Sequence, residues 1–137
     1  MGITMKFVAG VGLGALMILS AAFTEQPTLK GVWVYAGEFF NGKKSLWTED
    51  FKLQRKYDDK HFKSYVIENG QKPEMYQSGD YQLAADSCME TETYSKQTST
   101  LTGKTIHYQY LFHNDTLVLR GVLPNGRYVE EYWKKIK

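Results

Sequence analysis

Beyond residue 28, apolar and polar residues alternate with a period of two, and no sustained 3.6-residue apolar period replaces that pattern. Phe51, Leu53, Arg55 and Tyr57 interleave with Lys52, Gln54 and Lys56, and Ile106, Tyr108, Tyr110 and Phe112 with Thr105, His107, Gln109, Leu111 and His113. Successive side chains of a strand point to opposite faces, so each such run predicts a strand with one face on a core and one in water.

Extended over the chain, the pattern predicts eight strands, at about residues 29–36, 49–57, 61–68, 75–83, 87–95, 104–113, 116–122 and 127–136. In the first, Val32 and Val34 face one way and Trp33 and Tyr35 the other; in the seventh, Leu117 and Leu119 lie together, opposite Val118 and Arg120. Turn chemistry separates the runs at Asn69-Gly70, Asn114-Asp115 and Pro124-Asn125-Gly126. Residues 37–44 form a long connection that turns at Asn41-Gly42 and carries Phe39 and Phe40. Gly79 inside the fourth strand predicts a bulge, of the kind a closing barrel needs at a corner. Glu90 with Glu92, and Glu130 with Glu131, are expected on solvated faces. Consecutive hairpins can stack as a sandwich or close as an up-and-down barrel, and their uniform succession favours the barrel. The expected class is therefore all-β, an eight-stranded antiparallel up-and-down β-barrel with room for one small ligand.

The N-terminus departs from this pattern. Lys6 precedes an uncharged run from Phe7 to Ala22 that ends in Ser20, Ala21 and Ala22, the form of an export signal cut after Ala22. An uncleaved anchor is the competing reading, but about 16 residues with Gly10, Gly12 and Gly14 are short for a membrane span. The expected organisation is a signal peptide at 1–22, a linker at 23–28 and one domain at 29–137, exported to the periplasm or beyond and without a span after cleavage.

Composition supports the β reading. Ten Tyr, seven Phe and three Trp favour the half-buried surface of a sheet. A formal charge of +2, which falls by one when Lys6 is removed, argues against nucleic acid as a partner. Cys88 is the only cysteine, so a core rather than a disulfide must hold the domain; the thiol is expected to be a buried small hydrophobe.

Four landmarks in order carry a resemblance: Gly31-Val32-Trp33, Gly79-Asp80-Tyr81, the run Asp115 to Gly121, and the basic end EYWKKIK. Together they resemble the lipocalin-like domains of the calycin superfamily, and more narrowly a family of small exported lipocalin-like proteins of Gram-negative bacteria. The resemblance covers about residues 29–137 and implies a structural floor in which Trp33, after Gly31, lies across the closed end of the barrel with Lys135 or Lys134 over its ring. Lys stands there where Arg is usual.

With Trp33 at the floor, Tyr81 and Leu83, Tyr108 and Tyr110, and Leu117 and Leu119 face the interior, either as packed core or as contacts to a ligand that is mostly apolar with a few polar handles. Phe39 and Phe40, with nearby Trp47, form either a lid over the mouth or a patch for a partner. His107 and His113 are about 20 Å apart along one strand, too far to share a metal. A haem held by a single His would fall to His107. No Ser elbow, phosphate loop or ordered triad is present, so no cofactor and no enzymatic activity is expected. Two functions remain: binding a small, largely apolar molecule in the cavity, or binding a protein or glycan at the cell envelope through the loops of a filled scaffold.

Overall fold

The computed structural model describes residues 28–137, so the proposed signal peptide and all of the linker except Thr28 lie outside the described residues. Nine strands form one antiparallel sheet: β1 (Gly31–Phe40), β2 (Lys43–Leu46), β3 (Lys52–Tyr57), β4 (His61–Ile67), β5 (Glu74–Leu83), β6 (Ser87–Ser95), β7 (Thr105–His113), β8 (Thr116–Val122) and β9 (Tyr128–Lys135). Their order is β2-β1-β3-β4-β5-β6-β7-β8-β9, and a further pairing of β1 with β9 closes the sheet. Closure removes the free edges of the barrel strands that would otherwise template association. Eight strands, β1 and β3 to β9, make the barrel.

The ninth strand corrects the expected connection at 37–44. β1 continues to Phe40, turns at Asn41-Gly42 and returns as β2, which pairs only with the far half of β1 (Gly37 with Leu46, Phe40 with Lys43). The near half of β1 pairs with β3 instead, Gly31 with Tyr57 and Val34 with Gln54. β2 is thus a short flap on the rim. The pattern hides it because the β1–β9 register shifts between Tyr35 and Gly37, so the inward face passes from odd to even positions. Gly37 has a φ of 140°, and a Cβ there would collide with the Ser45 carbonyl oxygen; only glycine lets β2 approach.

A second bulge is where the sequence places it, between Ser78 and Gly79 in the β5–β6 register, and a third shifts the β4–β5 register between Ser64 and Tyr65. Turns at 58–60, 84–86 and 114–115 close one end tightly, whereas longer loops at 68–73, 96–104 and 123–127 surround the other.

The tight end is filled by side chains. Trp33 is 2% exposed and donates its indole N–H to the Leu29 carbonyl at 2.8 Å, and Leu29, just before β1, is fully buried. Lys135 Nζ lies 5.7 Å from the centre of the Trp33 ring, so Lys135 rather than Lys134 takes the place over it. Around this floor Tyr57 meets Tyr81 edge-on at 4.9 Å, Phe112 stacks on Trp33 at 6.1 Å, and Leu117 and Leu119 are fully buried. Among the described residues no helix is long and apolar enough to cross a membrane.

Candidate functional site

Above this packed floor the barrel holds polar and charged side chains. Arg55 projects inward from β3 because it shares parity with Leu53 and Tyr57, and it is only 6% exposed. Its Nε donates to Ser64 Oγ at 2.9 Å, Nη1 to Tyr57 Oη at 3.2 Å and to Glu90 Oε2 at 3.3 Å, and Nη2 to Gln77 Oε1 at 3.0 Å. The guanidinium also lies 4.6 Å from the Trp133 ring centre and 4.8 Å from that of Phe62. Tyr57 in turn donates to Glu90 Oε1 at 2.6 Å.

Glu90 and Glu92 overturn the expectation of a solvated face. Both point into the barrel and are 6% and 7% exposed. The reason is parity: residues 88, 90 and 92 share one side of β6, and Cys88 on that side is fully buried. Interior partners offset the cost of burying charge. Glu90 has Arg55 and Tyr57; Glu92 accepts from Gln77 Nε2 at 2.6 Å and from Thr102 Oγ1 at 2.8 Å. Despite the desolvation that opposes it, these donors hold the Glu92 carboxyl below the usual range, so it is ionised at neutral pH.

The pair Glu130 and Glu131 divides. Glu130 accepts from the hydroxyls of Tyr128 and Tyr132 at 2.9 and 2.8 Å and keeps a lowered pKa despite partial desolvation. Glu131 faces inward, directly opposite Glu38 of β1, and accepts the Trp133 indole N–H at 3.0 Å. Burial pushes its carboxyl up; Arg55 and the indole oppose that shift, and Glu90 and Glu38 add to it.

These groups border a half-open cavity of about 400 Å³ on the side of the longer loops. Its polar wall is Arg55, Gln77, Glu38, Glu90, Glu92 and Glu131. Its aromatic wall is Tyr35, Trp47, Phe62, Tyr76, Tyr108 and Trp133, and Leu53, Leu101, Ile106, Leu123 and Val129 complete the apolar lining. Tyr35 bridges the aromatic wall, edge-on to Trp47 at 5.3 Å and to Trp133 at 5.1 Å. Trp47 is fixed by donating its indole N–H to the Phe51 carbonyl at 2.8 Å.

Of the six residues proposed to touch a ligand, Tyr108 borders this cavity. Tyr81, Tyr110, Leu117 and Leu119 are buried below it, and Leu83 packs partly buried against the same core. The Tyr81 hydroxyl is committed to the Asp58 carbonyl, and that of Tyr110 to the Ala84 carbonyl at 3.1 Å. Of the proposed lid, Trp47 borders the cavity. Phe40 packs against the core beneath the Arg127 guanidinium at 4.4 Å, and Phe39 lies edge-on to Tyr128 at 6.5 Å, so the two do not form one exposed patch.

His107 and His113 are exposed, and His61 lies near Asp58 and Asp80 at the surface. No group of potential metal ligands is assembled among the described residues. The Cys88 thiol is pushed well up, first by burial and then by Glu90, which keeps it in the protonated, unreactive form. Sequence reasoning missed Arg55, Gln77, Glu38 and Glu131 as interior groups. The signal for Arg55 was present, since it alternates with Leu53 and Tyr57.

No protein-family model matches the chain, and no curated protein does. Solved structures do. A lipocalin-like protein from Bacteroides uniformis superposes with a TM-score of 0.56 at 11% identity, over 79% of this chain and 98% of that one. An uncharacterized protein from Bacteroides eggerthii superposes with a TM-score of 0.55 at 15% identity, over 80% of this chain and 100% of that one. With the closed antiparallel barrel and its tryptophan floor already in view, these likenesses establish that the chain has a lipocalin-like fold.

Proposed function

We propose that this is an exported binding protein that takes up one small, largely apolar molecule at the loop end of its barrel and does not transform it. The observation that carries the proposal is the division of the interior. The floor is solid side chain, whereas the upper half keeps a cavity of about 400 Å³ walled by six aromatic rings. Pockets for small molecules commonly span roughly 300 to 1,000 Å³, with mostly apolar walls and a few placed polar groups. Arg55, Gln77, Glu90 and Glu92 are held by one another rather than arranged around a nucleophile, and among the described residues no His, Cys or Ser lines the cavity.

The test is native mass spectrometry of protein exported by its own host, paired with titration of its tryptophan fluorescence by fatty acids, sterols and aromatic metabolites. Trp47 and Trp133 border the cavity, so an occupant should change their emission. A retained small molecule, or saturable quenching at one equivalent, is the expected result. Protein that retains nothing and responds to no compound would overturn the proposal.

A further inference from the structure

We infer that the cavity selects a ligand with a positively charged nitrogen, an ammonium or amidinium head on an apolar body. The inference rests on the proposed binding role and specifies the chemistry of the molecule bound.

Charge balance is the first ground. One guanidinium, Arg55, faces four carboxylates around the cavity: Glu38, Glu90, Glu92 and Glu131. Arg55 is engaged by Ser64, Tyr57, Glu90 and Gln77 and covered by Trp133 and Phe62, which leaves it little capacity to receive a ligand anion. Glu90 is consumed by the same network. Glu131 has one oxygen on the Trp133 indole, and its other oxygen has no hydrogen-bond partner among the described residues. Glu38 stands directly across from it on β1. Two like carboxylates in register on one face repel, and a cation between them relieves that repulsion.

An independent ground is Tyr108. It is 7% exposed, it borders the cavity, and its hydroxyl makes no hydrogen bond among the described residues. Its ring is seated on Gly121, where a Cβ would come within 2.8 Å of Tyr108 Cδ1, so the ring is held against the wall. A buried phenol normally finds a partner. The Tyr108 hydroxyl opens on the cavity, where its oxygen can accept an N–H group of the ligand. Aromatic faces complete the site, because Trp47 and Tyr35 next to Glu38 offer the π surface on which organic cations settle.

The experiment compares one apolar body under four heads: octylamine, octyltrimethylammonium, octanol and octanoate, titrated by calorimetry at neutral pH below their aggregation limits. At least one of the two cations should bind about tenfold or more tighter than octanol, with octanoate weakest. That preference should shrink severalfold in Glu131→Gln and in Glu38→Gln, each checked for its urea midpoint. Glu38→Gln lies in the rim half of β1 and serves if the buried substitution prevents folding. Octanol or octanoate bound as tightly as both cations would overturn the charge inference while leaving the binding role intact. A cation preference unchanged in both variants would overturn the assignment to these carboxylates. If none of the four binds, the charge inference falls, while the binding role is judged by its own test with fatty acids, sterols and aromatic metabolites.

Discussion

Replacing Arg55 by Met probes the interior network most sharply. The thioether keeps much of the apolar stem, so the substitution removes mainly the guanidinium. Four partners lose a donor: Ser64, which is fully buried, Tyr57, Glu90 and Gln77. The gravest consequence falls on Glu90, which is 6% exposed and is left with the Tyr57 hydroxyl as its strong donor. Removing one member of a buried ion pair typically costs about 3 to 5 kcal/mol, because the remaining charge is stranded. Domains of this kind have about 5 to 15 kcal/mol in total, so the loss should be plain in urea denaturation followed by tryptophan emission. The double variant Arg55→Met with Glu90→Met decides the mechanism. If stranded charge causes the loss, the double variant is no less stable than either single one, giving a coupling energy of several kcal/mol. Additive single effects, or a cost below about 1 kcal/mol for Arg55→Met, would refute the reasoning.

Three further outcomes follow from the same geometry. Trp33→Ala should cost about 3 to 5 kcal/mol by urea denaturation, the usual loss for a buried large aromatic, and a near-neutral result would mean that the floor lies elsewhere. Gly37→Ala should detach the β2 flap, through the clash with the Ser45 carbonyl and the positive φ, and raise amide hydrogen exchange at 43–46 while the barrel strands stay protected; unchanged protection there would contradict the bulge. Glu131 has a raised folded pKa, so its contribution to stability is full below the unfolded value of about 4.3 and is lost as pH rises through the folded one. Facing it are Tyr35 and Glu38 from β1, Arg55 from β3, Tyr76 from β5, Glu90 from β6 and Tyr108 from β7. Glu131→Gln keeps an acceptor for the Trp133 indole, so it should be more stable than the parent at neutral pH, and the two should converge as the pH falls toward about 4 and the parent carboxyl takes up its proton. Urea midpoints that run parallel across that range would contradict the assignment.

Much of the barrel was legible because a sheet with one wet face writes its period into the chain. β3 and β7 show this directly, and Gly79 marked its bulge. What stayed hidden has two physical causes. Gly37 shifts the register within β1, so alternation seems to stop where a strand in fact continues and pairs with β2. The buried carboxylates were misplaced because residue type was given more weight than parity. Cys88 was expected inside, and residues two and four beyond it on the same strand must then face inside as well, whatever their charge. The same rule applied to Arg55 would have put a cation opposite those acids and suggested a network. Glu131 obeys the same rule, because it lies between Val129 and Trp133 on one face of β9, whereas Glu38 could not be found in this way, since its inward direction depends on the bulge at Gly37. The interior was legible as aromatic, but its division into a solid floor and a charged upper half depends on which rings meet, and a single strand's pattern does not encode that.

The central claim is that the upper half of the barrel is a binding site, and a cavity-filling variant tests it most directly. Leu123 lines the cavity from the loop between β8 and β9 and is only partly buried, so Leu123→Trp can occupy the space without displacing the floor. Titration with Nile red, a neutral apolar dye, should give saturable binding at one equivalent to the parent protein, and Leu123→Trp should lose at least about tenfold in affinity at an unchanged urea midpoint. Equal binding by the folded variant, or no saturable binding by the parent, would contradict the account.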